Sequence, residues 1–485
     1  MLWRRRYHML GGTIKIFLAE ALLLPTGIIT AAFLTRKFGP EGYGLFTLSA
    51  TIIAWIGWSL TSIFTRATIK FVGETEDWRP VGTTVLRLHL WVGGGAMLLI
   101  WLLADGVAMV LREEAIAFYL RLFALDIPLF CLAYAHRSIL VGVGKFSQRA
   151  IATALRWIAR LLLILLLVEM GLSISGAVLG SVGASLVELA ICRFYIHPSP
   201  FARSNFPARK LWDYGVPLFL FALSMRLYEK LDLFALKILG GTAAEAGFYG
   251  AAQNLSLIPG IFSLAFAPLL LSTLTRTLYA GDRDSAKKIS RDAMRAVLLM
   301  LPFAGMTAGA APEIVTLIFG KAFLPAAPLL AVLIFGALGL AMISITTAIL
   351  TAAGKPNWTF ILTAPLLPLA IVGYWFLIPQ LGAIGASIAF AAFAILGGLM
   401  TVLAVYRLLQ VFPPMTTLCR SILVSSLAYV LAANFTAEAV WLVGKMLAIA
   451  LVILIALLLA GEFRKSEIIS ILGMMRLPIS ANLNR

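Results

Sequence analysis

The chain of 485 residues is 61% hydrophobic and only 13% charged, with a mean hydropathy of +0.97, a balance that excludes both a soluble globular domain and a disordered one. A formal net charge of +17 would suit nucleic acid, but no basic domain with interleaved aromatics accompanies it, so nucleic acid is excluded as a partner. Three cysteines without CxxC spacing and four dispersed histidines give no basis for a metal, a cofactor or a disulfide framework.

Apolar segments long enough to cross a bilayer recur along the whole chain. The first six lie near 12–35, 45–69, 86–107, 115–140, 150–169 and 174–196. Six more follow near 214–239, 249–275, 294–312, 326–351, 358–378 and 383–406, with a final pair near 418–436 and 440–460. The expectation is an all-α polytopic membrane protein of about fourteen transmembrane helices, because the alternating ten-residue segments of a membrane barrel are absent. Met1 to His8 are basic and precede a full-length apolar span without a small-residue cleavage site, so no cleavable signal peptide is expected. The longest polar connection, Arg193 to Asp213 with Pro198, Pro200 and Pro207, reads as a linker between two halves. Loops this short leave no room for an extramembrane catalytic domain.

The basic excess is placed unevenly. With the amino terminus inside, the cytoplasmic side receives Arg4 to Arg6, Arg79, Arg87, Lys145, Arg149, Arg203, Arg209 and Lys210. It also receives Arg283, Lys287, Lys288, Arg291 and Arg295, then Lys355, Arg407, Arg464 and Lys465. The other side keeps mainly Arg36, Lys37, Arg112 and Lys321. This positive-inside bias predicts an inner-membrane protein with both termini cytoplasmic and with membrane lipid headgroups as partners.

Glu41 to Phe46 resembles Ala244 to Tyr249; Leu140 to Lys145 resembles Leu350 to Lys355; Gly176-Ala177 matches Gly385-Ala386. The offset stays at about 203–210 residues, as expected of one six-helix unit used twice in parallel orientation. The expected organisation is therefore an N-lobe over 1–200, a C-lobe over 201–410 and a C-terminal helix pair with a tail over 411–485, with the two lobes around a central cleft.

Span 214–239 carries Arg226, Glu229, Lys230, Asp232 and Lys237, and charge at that depth should face protein or a water-filled cavity. Arg226, Lys230 and Lys237 share one helical face, a basic stripe suited to an anionic passenger. The alternative is that Arg226, Glu229, Lys230 and Asp232 pair with one another while Lys237 reaches for the interface. Arg160 and Asp126 fall at similar middle depth, Glu20 in the cytoplasmic half of the first span and Arg121 in the outer half of the fourth. Arg66 lies near the cytoplasmic end of the second, where snorkelling accounts for it as well as a cavity role does. Substrate contacts are assigned to Arg226, Lys230, Arg160, Arg121 and Arg66, because guanidinium and ammonium groups suit phosphate and acidic sugar. Glu20, Asp126, Glu229 and Asp232 are assigned as counter-ions or as ion-coupling carboxylates, and Pro25 as a hinge.

The segment Lys37-Phe38-Gly39-Pro40-Glu41-Gly42-Tyr43-Gly44, with Ala246-Gly247-Phe248-Tyr249, Leu231-Asp232-Leu233 and the Gly354-Lys355-Pro356 turn, resembles the polysaccharide transporter branch of the multidrug/oligosaccharidyl-lipid/polysaccharide exporter superfamily. The resemblance covers the chain to about Arg407. It implies a flippase that carries an undecaprenyl-pyrophosphate-linked, anionic oligosaccharide across the inner membrane by alternating access, in the company of polysaccharide assembly proteins. A lipid II flippase would share the basic cleft. A multidrug antiporter of the same superfamily usually handles organic cations, which such a cleft repels. A membrane polysaccharide polymerase or ligase needs a sizeable outer loop, and no GxxxxGK[ST], HExxH or well-placed GxSxG is present, so no enzyme activity is expected.

Overall fold

The computed structural model describes residues 15, 16, 18–213, 231–437 and 440–462, and all regular structure among them is helical. Helix α1, Leu23–Glu74, runs for 52 residues and is interrupted at Gly39, with φ 66° and ψ −174°, followed by Pro40. At about 1.5 Å per residue it is far longer than a bilayer core of about 30 Å. It therefore supplies two spans, joined where glycine takes a left-handed φ and proline withdraws a backbone donor. Next come α2 (Arg79–Val110), and α3 (Ala115–Ala124) and α4 (Asp126–Gly142), which meet at Leu125. Helices α5 (Phe146–Leu167) and α6 (Ser173–Tyr195) are joined by a π-turn in which Gly171 has φ 92°.

After a helical stretch at 231–238 come α7 (Ala243–Ser256), α8 (Ile258–Tyr279), α9 (Arg283–Leu298), α10 (Leu301–Gly309) and α11 (Ala311–Phe319). The run ending at Gly309 bends by 67° into α11. The remaining helices are α12 (Ala326–Ala352), α13 (Pro356–Thr363), α14 (Leu366–Leu409), α15 (Met415–Asn434) and α16 (Val440–Leu459). Helix α14 breaks at Gly382, φ 56°. Splitting the long helices at their glycine breaks agrees with about fourteen spans, the seventh lying largely outside the described residues. The ninth starts earlier than hydropathy indicates: Asp282 accepts a hydrogen bond from the Ser285 N–H at 3.0 Å and caps α9. Hydropathy registers apolar runs and passes over the polar first turns of such a helix.

The proposed repeat has a local counterpart in backbone conformation. Gly144 and Gly354 both end a helix with positive φ, 78° and 75°. Lys145 N–H donates to Leu140 O at 2.8 Å and Lys355 N–H to Leu350 O at 3.0 Å, the same glycine-terminated cap used twice.

The chain divides into two compact units. One comprises Met1–Leu255, Ile318–Leu329 and Ala364–Phe390; the other comprises Ser256–Leu317, Leu330–Thr363 and Ala391–Arg485. In the first, Phe64, Leu86, Ile139 and Leu140 form a core, with Trp212 edge-on to Phe64 at 4.9 Å between ring centroids. The first-unit motif glycines interlock: a Cβ on Gly44 would strike Ala243 O, and one on Gly247 would strike Pro40 O. Phe323 packs on both Tyr43 and Phe248, at 5.8 and 5.7 Å. Two of the segments that carry the family resemblance, 37–44 and 246–249, are thus packed on one another. In the second unit, Gly305 and Gly309 admit the backbone of α15 at Ser425 and Tyr429, the close approach that small residues permit between membrane helices. There Lys445 Nζ meets Glu313 Oε1 at 2.6 Å.

Candidate functional site

Helix α5 carries Arg149, Arg156 and Arg160 at i, i+7 and i+11, one helical face. That face turns inward within the first unit. Arg156 is 9% exposed, Arg137 of α4 is 2% exposed, and Glu188 of α6 is fully buried. Arg137 Nη1 lies 3.2 Å from Glu188 Oε1, and Arg156 Nε lies 3.4 Å from Glu188 Oε2. Glu20 completes the network, 3.9 Å from Arg137 and accepting from Arg149 Nη2 at 3.3 Å. The guanidiniums also stack on rings: Arg137 on Tyr134 at 4.3 Å, Arg156 on Phe130 at 4.7 Å and on Trp157 at 5.0 Å. Planar, weakly hydrated guanidinium suits a site where aromatic faces replace water.

Beside the network is a cavity of about 100 Å³ whose lining includes Arg156, Arg160, Asp126, Ser181, Trp58 and Phe130. Arg160 Nε donates to Ser181 Oγ at 3.4 Å. Arg156 Nη1 and Asp126 Oδ1 are buried without a hydrogen-bond partner. Four guanidiniums, Arg137, Arg149, Arg156 and Arg160, face three carboxylates, Glu20, Asp126 and Glu188, so the cluster keeps an excess positive charge. A buried donor without a partner loses its hydration and regains nothing for it. An arriving anionic oxygen would supply the missing acceptor.

The structure brings Arg160, Asp126 and Glu20 to this cluster. It does not bring Arg121 or Arg66. Arg121 pairs with Asp105 at 2.5 Å and stacks on Trp101 at 5.5 Å, away from the cavity lining, and Arg66 is exposed. Asp232 is fully buried and accepts hydrogen bonds from Tyr249 Oη at 2.7 Å and Gln253 Nε2 at 3.0 Å. Pro25 is the third residue of α1, and helical angles persist there, as a first-turn proline allows. Arg226, Glu229 and Lys230 lie outside the described residues. Lys237 is 3% exposed and paired at 3.0 Å with Glu113, in the turn between α2 and α3.

Arg137, Arg156 and Glu188 escape the sequence reading, although each sits inside or at the end of an apolar span. The signal for Arg156 is its spacing, four residues before Arg160 and seven after Arg149. Arg149 itself reads as a topology charge, yet it reaches Glu20 across 129 residues of chain.

Residues 33–328, which include the interlocked glycine segments and the whole of α5 and α6, match the sequence profile of the family described as Polysaccharide biosynthesis protein. The chain belongs to that family. This polysaccharide biosynthesis protein is 23% identical over 401 residues, 78% of its length and 93% of the relative's, to a protein of Shigella flexneri assigned as an O-antigen transporter. It is 24% identical over 412 residues, 81% of its length and 82% of the relative's, to a protein of Haloferax volcanii assigned as the flippase AglR. Its fold resembles that of the lipid II flippase MurJ in an inward closed conformation, with a TM-score of 0.75, 16% identity, and coverage of 92% of this chain and 98% of that one. A multidrug resistance MATE family transporter in an inward-facing conformation gives 0.59 at 16% identity, with 82% and 95% covered. The polysaccharide biosynthesis protein is accordingly a multi-pass membrane protein with the fold of these transporters.

Proposed function

We propose that the protein is a flippase that moves a lipid-linked, anionic oligosaccharide across the inner membrane for cell-surface polysaccharide synthesis. The carrier in this reading is an undecaprenyl pyrophosphate, and the motion is alternating access built on two repeated six-span units, with both termini cytoplasmic. The observation that carries the reading is the buried Arg156 Nη1, which has no hydrogen-bond acceptor, in the first-unit cavity that Arg160 also lines. Fixed guanidiniums match pyrophosphate oxygens bidentately, and a water-poor surrounding strengthens that attraction. The Shigella relative's name, O-antigen transporter, supports the passenger class, and the Haloferax relative's name supports flipping.

In this mechanism Arg156 and Arg160 receive the diphosphate, and Arg226 and Lys230 extend the basic path. Glu188 and Glu20 hold Arg137, Arg149 and Arg156 in place before the passenger arrives, and Asp126, in the same cavity lining, is protonated as an anion approaches. Asp126, Glu20, Glu229 and Asp232 are the carboxylates available for ion coupling, and Pro25 the hinge. The protein performs transport and no bond chemistry. An organic-cation antiporter fits less well, because the buried excess of guanidinium repels cations.

Deleting the gene is expected to build up lipid-linked glycan on the cytoplasmic leaflet, with rescue by wild type and not by Arg160→Ala inserted at normal levels. Absence of that build-up, with loss of drug-cation efflux in its place, would overturn the reading.

A further inference from the structure

The positive-inside pattern accounts for the side on which α9 lies, but not for a cavity at its start. In the second unit, Arg283 and Lys287 of α9 line a cavity of about 460 Å³ whose other walls include Leu278 at the end of α8, Ile349 near the end of α12 and Leu408 near the end of α14. Three span ends thus form an apolar floor under a cationic rim. Arg283 and Lys287 are both exposed, and neither is ion-paired with any described residue. Asp282 and Asp284 flank Arg283 in sequence; Asp282 caps α9 through the Ser285 N–H, and no ion pair joins Asp284 to Arg283 or Lys287. Gln410, also in the lining, holds φ 55° and ends α14. A non-glycine residue takes that left-handed conformation at some cost, and here it turns the chain sharply at the cavity wall.

We propose that this cavity is a binding site for one anionic phospholipid of the cytoplasmic leaflet. Its phosphate meets Arg283 and Lys287, and the upper part of an acyl chain lies on Leu278, Ile349 and Leu408. Charge complementarity selects the occupant. A free phosphate gains nothing from the apolar floor, and a neutral lipid gains little from the cationic rim. The site lies where spans end, at the depth at which phospholipid headgroups meet water. Occupancy fastens the polar start of α9 to the membrane surface. The inference is independent of the passenger the protein carries.

The test uses full-length protein in detergent, titrated with phosphatidylglycerol or phosphatidylcholine and read by native mass spectrometry. A photoactivatable phosphatidylglycerol maps the contact. Wild type is expected to hold one phosphatidylglycerol in preference to phosphatidylcholine, with crosslinks in 274–290. The double variant R283E/K287E is expected to weaken that binding by about tenfold or more, whereas K288E/R291E, which reverses two exposed cations outside the cavity lining, leaves it unchanged. If R283E/K287E is not monodisperse, R283Q/K287Q replaces it under the same criterion. Equal losses in both variant pairs, equal binding of phosphatidylcholine, crosslinks elsewhere, or equally effective competition by glycerol phosphate would overturn the proposal.

Discussion

Arg137 and Glu188 meet at 3.2 Å with side-chain exposures of 3% and 0%, so α4 and α6 are tied by a charge pair removed from water. Such a pair is a poor source of net stability, yet breaking it is costly because the survivor is left buried and uncompensated. Removing Glu188 as Glu188→Ala is expected to destabilise the protein by about 3–5 kcal/mol, since it leaves Arg156 without a paired carboxylate and Arg137 with only Glu20 at 3.9 Å. Thermal unfolding in detergent checks this. The double change Arg137→Met with Glu188→Leu is expected to recover part of the loss, and no recovery would mean that the pair does more than neutralise charge.

The interlocking of Gly44 with Ala243, and of Gly247 with Pro40, leaves no room for a side chain, because the obstacle in each case is a backbone carbonyl oxygen. Gly44→Leu or Gly247→Leu is expected to cut the yield of monodisperse protein severely, at or beyond the usual overpacking cost of about 1–3 kcal/mol. Gly27→Ala, at a position with nothing within 4 Å, is expected to be tolerated. Size-exclusion profiles of the three variants decide the matter.

Arg121 pairs with Asp105 and lies away from the lining of the Arg156–Arg160 cavity. Arg121→Ala is therefore expected to leave glycan flux close to wild type. A large loss of flux would return Arg121 to the substrate path.

Glu462 follows the last span, and its carboxylate accepts from Arg295 Nε at 2.8 Å, Thr417 Oγ1 at 2.5 Å and Arg420 Nη1 at 3.1 Å. Burial pushes this carboxyl up, but those donors outweigh it and hold it below the usual carboxylate range. A depressed folded-state value contributes stability that is present above the unfolded value, about 4.3, and is lost as pH falls through the folded one. The stability gap between wild type and Glu462→Gln is thus expected to be full at neutral pH and to close below about pH 4. A gap that does not change with pH would show that shape, not charge, is what the residue supplies.

The all-helical fold and the approximate number of spans are legible because twenty-residue apolar runs have few other uses. The glycine segments are legible as motifs, and the structure adds their reason: Gly44 and Gly247 are faced by backbone. The charged cluster is legible only in part. Arg160, Asp126 and Glu20 stand out as charges in apolar spans, but Glu188 is recognised only once α6 is set against α4 and α5. Arg149 is absorbed into the positive-inside count, and Arg137, near the end of its apolar run, attracts no notice. The polar start of α9 is hidden for the opposite reason, since an amphipathic surface helix lacks the apolar run that hydropathy registers.

The most direct test of the central claim is translocation of a lipid-linked oligosaccharide in proteoliposomes made with wild type, Arg156→Lys, Arg160→Ala and Arg121→Ala, each checked for folding by its unfolding temperature. The account predicts that folded Arg156→Lys and Arg160→Ala lose about tenfold or more of the flux, the scale expected when a charge-assisted bidentate contact is lost, while Arg121→Ala keeps it. Undiminished flux in both α5 variants would contradict the account and move the passenger's path away from α5.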